Sequence, residues 1–120
     1  MAQTWSYTLL DVVHLPHGMG GSSGYHANKA ILVSAVGPAS SVEAGAVMDV
    51  SDDLEHVAFG FPSGNPTAAD CKWKHDCLIA SGNSGADLKV VTWDISGAAV
   101  APADTALNGV EQRFMLLGWD

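Results

Sequence analysis

The spacing of the apolar residues constrains the fold of this chain more than any other feature. Apolar and alternating runs are short, and Gly, Pro, Ser and Asn interrupt them along all 120 residues. No stretch of roughly twelve residues keeps apolar side chains at the i, i+3, i+4 and i+7 positions of an amphipathic helix. The pattern therefore predicts strands and turns, and no long helix.

Several segments have the alternating or continuously apolar character of strands. They are residues 4–14, 29–36, 44–50, 54–61, 72–80, 87–94 and 112–119. Pro16 and the proline-containing stretch 62–70 are predicted to end the strands before them, because proline cannot donate a hydrogen bond to a ladder. The connecting segments are expected to be loops or turns: 17–24, 51–53, 62–70, 81–85, 95–106 and 108–109.

Strands at this spacing predict one all-β domain over residues 1–120, an antiparallel β-sandwich or barrel of about seven short strands. The chain is 48% hydrophobic and has four tryptophans, which is enough apolar material for one core. Its length leaves no room for a second domain.

The charge balance is strongly acidic. The chain has 13 acidic and 5 basic residues, and its net charge is −8. Nucleic-acid binding relies on Lys and Arg to neutralise phosphates, so this composition disfavours direct contact with DNA or RNA. The longest apolar runs are far too short to span a membrane. The first residues have no basic region followed by an apolar run, so we expect a protein made in the cytoplasm.

The segment between the two cysteines is the best candidate for a metal site. Cys71, His75 and Cys77 carry thiol and imidazole groups, which are good zinc ligands. On a strand these side chains share one face but spread over roughly 20 Å, so one ion cannot reach both cysteines unless the segment folds back. We therefore expect no metal and two reduced thiols, with a local Cys71–Cys77 disulfide as the alternative.

Other constellations also have simpler interpretations than catalysis. Five histidines are present, but the G-x-S-x-G motif of a nucleophilic serine is absent. The Gly-rich segment 18–24 lacks the Lys-Ser/Thr ending of a phosphate loop. The acidic residues around 49–55 do not match a calcium-binding loop and fit a solvated hairpin end. We expect no catalytic residue and no cofactor.

Four tryptophans could serve in either of two ways. They are Trp5, Trp73, Trp93 and Trp119. Aromatic side chains anchor cores and protein interfaces, and their faces also stack on sugars. The first role is the more common one in a small β domain. The second leaves open a glycan-binding module.

Several short segments carry a resemblance in layout. They are 5–8 (WSYT), 29–33 (KAILV), 46–57 (AVMDVSDDLEHV), 88–94 (LKVVTWD) and 114–119 (FMLLGW). Together they resemble small all-β virion structural proteins encoded near the capsid and tail genes of tailed bacteriophages. The stretch 62–77 has no counterpart in that layout, and no functional residue carries over.

The resemblance implies a non-enzymatic capsid decoration (cement) protein on the outside of a phage head. Its expected partners are the major capsid protein or other virion proteins and further copies of itself, since many such proteins form trimers. Contacts are predicted around the N-terminal arm, the loop 17–24 and the loop 62–70. The residues proposed to make them lie in or beside these segments: Trp5, His17, Met19, Tyr25, Phe61 and Pro62. The alternatives are a tail or fibre module that binds glycans and a small metal-dependent enzyme.

Overall fold

The computed structural model describes residues 4–19, 27–39, 45–66, 73–79, 87–94 and 107–119. The protein is all-β, as predicted, and the described residues form seven strands in one nearly closed, barrel-like sheet. The strands are β1 (Thr4–Met19), β2 (Ala27–Val36), β3 (Ala46–Asp49), β4 (His56–Gly64), β5 (Trp73–Leu78), β6 (Asp87–Asp94) and β7 (Glu111–Trp119). Their order in the sheet is β4-β7-β2-β1-β3-β6-β5.

The sheet is mixed rather than fully antiparallel. Its two halves, β4-β7-β2-β1 and β3-β6-β5, are each antiparallel throughout. They join where β1 and β3 run parallel, through the pairs Thr4–Val47 and Trp5–Met48. One parallel pair therefore departs from the antiparallel prediction.

Most predicted strands and turns lie where the sequence placed them. β6 has the predicted bounds, and β2 and β7 begin within two residues of the predicted positions. At the turn 51–53, the backbone N–H groups of Asp53 and Leu54 both donate to the carbonyl of Val50 at 2.9 Å. At the turn 108–109, Gly109 adopts a φ of 82°, which glycine tolerates best. The segments 81–85 and 95–106 lie outside the described residues.

Pro16 does not end β1, so that prediction was wrong. The strand continues to Met19, which pairs with Ala27 in β2. A register shift separates the pairs made by His14 and Met19, and Pro16 lies in this irregular stretch. Proline has no backbone N–H to donate. It is tolerated here because residues 15–18 make no ladder pair with β2 and no N–H donor is required.

Pro62 does not end its strand either. β4 continues to Gly64, whose carbonyl accepts a hydrogen bond of 2.7 Å from Nε2 of Gln112. Nδ2 of Asn65 donates to Oε1 of the same glutamine at 2.9 Å. β4 is the last strand of the sheet, and an edge strand tolerates proline because one side of it needs no ladder partner.

The inside of the barrel is one apolar core. Its buried members are Trp5, Ile31, Val33, Ala35, Ala46, Met48, Val50, Leu54, Val57, Leu88, Val90, Leu107, Val110, Phe114 and Leu116. The Trp5 ring meets the edge-on rings of His75 and Phe114, with centroid distances of 5.3 and 5.9 Å. Both halves of the sheet therefore pack against Trp5.

The terminal strands β4 and β5 meet without ladder pairing among the described residues. Gly60 of β4 faces Cys77 of β5 there. A Cβ atom at Gly60 would lie 2.9 Å from Cδ2 of Leu116 and 3.3 Å from Sγ of Cys77. The absence of a side chain at Gly60 thus lets the two edges approach, and side-chain packing closes the barrel at this seam.

Matched leucine substitutions test the position of the core. Leu116 is fully buried, whereas Leu78 is 56% exposed. We expect Leu116→Ala to lower the free energy of unfolding by about 2–5 kcal/mol, because it removes buried methyl groups and leaves a cavity. Leu78→Ala should change it by less than about 0.5 kcal/mol. Urea denaturation followed by circular dichroism measures both, and equal losses would contradict this core.

Candidate functional site

A bulge in β4 decides which of its side chains face outward. Regular alternation over 54–61 would place Val57, Phe59 and Phe61 on one face. The register shifts between Val57 and Phe59, so Ala58 is an extra residue in the strand. Val57 is fully buried, whereas Phe59 and Phe61 are 42% and 49% exposed. The strand therefore departs from regular alternation, and two aromatic rings lie on the outside of the barrel.

These two rings begin two apolar rows that cross the outer face of the sheet. In the first row Phe59 pairs with Leu117, Leu117 with Ala30, and Ala30 with Val13. The second row joins Phe61, Met115 and Leu32 and ends at Asp11. We call the apolar members of both rows the apolar band: Val13, Ala30, Leu32, Phe59, Phe61, Met115 and Leu117.

The apolar band has a small packed centre of its own. Ala30 and Leu117 are buried, and Leu15, Ala58 and Met115 pack against them. This cluster is separate from the barrel core, because it lies on the opposite face of β2 and β7. A second apolar cluster on the outside of a small barrel is typical of an interaction surface.

Charges of both signs border the apolar band. Arg113 is exposed on the outer face of β7, one outward position beyond Met115, and Glu111 follows one outward position further. Oγ of Ser34 donates to the carboxylate of Glu111 at 3.3 Å. Among the described residues, the Arg113 guanidinium makes no hydrogen bond or ion pair. Asp11 is exposed at the far end of the second row.

A second candidate surface is the open edge of β1. After Trp5, β1 pairs with β2 on one side only, within the described residues. Leu9, Leu10 and Val13 are 37%, 45% and 48% exposed along this stretch. We call residues 6–15 the β1 edge. Unpaired backbone groups beside exposed apolar side chains can accept a strand from another protein.

The inside of the barrel contains a polar group at its centre. His75 is 2% exposed, and its Nδ1 shares a hydrogen bond of 2.9 Å with Oγ1 of Thr92, which is also buried. Trp73, His75 and Cys77 alternate along β5 toward the interior, as expected for a strand. The imidazole thus faces the core, out of reach of a molecule on the outer surface.

Cys77 is a free thiol, half-buried beside the seam. Burial raises the pKa of the Cys77 thiol from 9.0 to about 12, and the neighbouring carboxylate of Asp76 adds to the effect. A thiol with a raised pKa is a poor nucleophile and a poor metal ligand at neutral pH. Cys71 lies outside the described residues, so the structure does not test the zinc site or the Cys71–Cys77 disulfide considered from the sequence.

The acidic turn between β3 and β4 is held by its own polar contacts. The Tyr7 hydroxyl donates to the Asp53 carboxylate at 2.6 Å, and Nζ of Lys29 donates to the Asp53 carbonyl at 2.6 Å. Burial and this carboxylate both raise the pKa of Tyr7. The backbone N–H of Ser51 donates to Asp49 at 2.9 Å and lowers the pKa of that carboxyl group. These contacts anchor the turn to β1 and β2.

A cleft of about 350 Å³ opens elsewhere on the barrel. The described residues that line it are Val47, Leu78, Asp87, Leu88 and Lys89. Its lining is mostly apolar, with one acid and one base. Within the described part of the chain, no three His, Cys, Asp or Glu side chains are grouped as metal ligands. The same residues include no helix that could cross a membrane.

The six predicted contact residues fall into three groups. Phe61 and Pro62 are exposed on β4, and Phe61 belongs to the apolar band. Trp5 is 3% exposed, so it belongs to the core and not to a surface that a partner could touch. The side chains of His17 and Met19 lie outside the described part of the structure, and so does all of Tyr25.

Sequence reasoning missed most of the apolar band, although one signal for it was present. The run 114–117 is apolar at every position, which on a strand makes both faces apolar. Phe114 and Leu116 face the core, so Met115 and Leu117 must face outward. The cross-strand neighbours of this pair could not be read from the sequence, because they depend on which strands lie side by side.

Comparison with known proteins found none that is significantly similar to this chain. No protein-family model matches it, and no curated protein or solved structure has significant similarity to it.

Because the pKa of the Cys77 thiol is raised by burial, we expect the folded protein to lose stability at alkaline pH. The unfolded chain releases this proton near pH 9, whereas the folded chain holds it up to about pH 12. The free energy of unfolding should therefore fall as the pH rises from about 9 to 12. In Cys77→Ser this part of the decrease should be absent, as urea titrations at pH 8 and pH 11 would measure. Equal decreases in both proteins would contradict the thiol's burial.

Proposed function

We propose that the protein is a non-enzymatic virion structural protein that decorates the outside of a phage head and stabilises it. One observation carries the proposal: outside the core of the described residues, large apolar side chains remain exposed in the apolar band and along the β1 edge. Soluble monomers seldom keep large contiguous apolar patches. Such surfaces therefore support a protein that acts by assembly.

The β1 edge is the surface that we assign to the capsid shell. Among the described residues it offers backbone groups without a ladder partner, together with Leu9 and Leu10. The register shifts between Leu9 and Asp11, so Leu10 is the extra residue of the strand. A strand or arm of the shell protein could pair with this edge through main-chain hydrogen bonds, and the leucines would be buried in the contact. The irregular strand 15–19 beyond it contains His17 and Met19, which the sequence also proposed as contacts.

The charge and the interior of the barrel agree with this role. A net charge of −8 suits the outside of a particle and keeps the free protein soluble. The buried imidazole of His75 faces the core, where a substrate on the outer surface would not meet it. Binding that occurs only on the assembled shell stabilises that shell by mass action.

We rank a glycan-binding module of a tail or fibre second. Such a module would stack sugars on exposed tryptophans. Trp5 and Trp73 pack on the core, which leaves Trp93 on β6 and Trp119 on β7. Three strands of the sheet separate β6 from β7, so these two indoles do not form one stacking surface.

The test compares phage particles with and without the protein. Particles that lack it should release DNA at a lower temperature, and adding the purified protein should restore their heat resistance. Quantitative mass spectrometry of intact particles should find it in near-stoichiometric ratio to the major shell protein. Unchanged heat resistance, or absence from the particles, would refute the proposal.

A pair of variants locates the contact. We expect Leu9→Ser/Leu10→Ser to bind depleted particles at least about tenfold more weakly, because the leucines no longer bury apolar surface. Leu78→Ser is the matched control, because it makes the same exposed leucine-to-serine change on β5, away from the β1 edge. This variant should bind like the wild type. Circular dichroism establishes that both variants are folded, and equal binding by both would remove the β1 edge from the contact.

A further inference from the structure

Apart from Val13, which belongs to both surfaces, the apolar band remains uncovered if the β1 edge binds the shell. It crosses four adjacent strands, which spans about 14 Å between the outer two, and its two rows lie about 7 Å apart. With the width of the side chains included, the band covers on the order of 400 Å². A standard protein interface buries about 800 Å² on each partner. The band can therefore be the apolar centre of an interface whose rim is polar.

The arrangement of exposed and buried side chains in the apolar band is compatible with contact between two identical surfaces. Phe59 and Phe61 are exposed on the edge strand β4, whereas Ala30 and Leu117 form a buried centre on β2 and β7, against which Leu15, Ala58 and Met115 pack. A two-fold contact brings the same patch of each copy together. The exposed rings of Phe59 and Phe61 in one copy can then pack against the buried centre of the band in the other copy.

The charges at the rim also favour a second copy. Arg113 is the only arginine of the chain, and within the described residues its guanidinium has no ion-pair partner. The carboxylates of Asp11 and Glu111 stand on the same rim. A rim that carries both signs can satisfy its charges against a copy of itself. A uniformly basic partner would instead place like charge against Arg113.

We propose that the apolar band is the contact between two copies of this chain, related by a two-fold axis, with Arg113 of each copy facing a rim carboxylate of the other. The contact concerns the free protein and holds whether or not that protein decorates a virion. Both copies carry a charge of −8, so they repel each other. The dimer should therefore strengthen as salt screens the repulsion between the copies.

Sedimentation velocity over a range of protein concentrations tests the contact. The wild type should be a dimer that dissociates on dilution. Phe59→Ser/Phe61→Ser should raise the dimer dissociation constant by at least about 100-fold, because each lost contact occurs twice in a two-fold dimer. Leu78→Ser, on the other terminal strand, should leave the constant unchanged. Phe61→Lys is a second variant that should also weaken the dimer. Residue 61 is exposed on the edge strand β4, so the barrel should still fold with lysine there.

The rim is tested separately by Arg113→Glu, which should weaken the dimer about tenfold because it places like charges together. A wild type that is monomeric at every concentration, or an oligomer other than a dimer, would overturn the proposal. So would a dimer that survives both phenylalanine substitutions. If the wild type is monomeric and Phe59→Ser/Phe61→Ser loses binding to depleted particles, the band belongs to the shell contact and the decoration role stands.

Discussion

The packing of Trp5 at the junction of the two half-sheets is the constraint on which the rest of this barrel depends. Among the described residues, two pairs join β1 to β3, and Trp5 belongs to one of them. Its ring turns inward between His75 of one half and Phe114 of the other. An aromatic pair adds about 0.5–1.5 kcal/mol to the burial of the ring itself. The described junction is short, and beyond Trp5 no other described strand pairs with this side of β1.

The outer surface follows from a second local constraint, the bulge at Ala58. A strand has a side-chain period of two, so one extra residue moves every later side chain to the other face. Without it, Phe59 and Phe61 would face the interior, where Phe114 and Leu116 already fill the space. The bulge keeps the core from overfilling and places two rings on the outside. A single backbone irregularity thus completes the core and creates the apolar band.

Local pattern predicted the strands well, because a period of two and turn residues act over a few positions. The bounds of β6 and the turn at Gly109 were both correct. Pro16 and Pro62 were misjudged, since the cost of proline depends on whether a neighbouring strand needs its N–H, and neighbours are not a local property. The predicted contact residue Trp5 is 3% exposed, because burial also depends on which strands lie side by side. Of the apolar band, only Phe61 is among the contact residues predicted from the sequence, since the rows around it depend on the strand order.

The apolar band and the acidic charge act against each other, and their balance fixes when the protein associates. Burial of apolar surface contributes about 25 cal/mol per Å², so a patch on the order of 400 Å² favours contact by about 10 kcal/mol for each copy before the entropy of association is subtracted. Repulsion between chains of charge −8 opposes that contact over a distance set by the ionic strength, about 8 Å in physiological salt. The charge acts at longer range than the apolar contact, which needs the two surfaces to touch. In the proposed dimer, free chains therefore associate only at concentrations at which the apolar contact outweighs both the repulsion and the entropy of association, and added salt lowers that concentration.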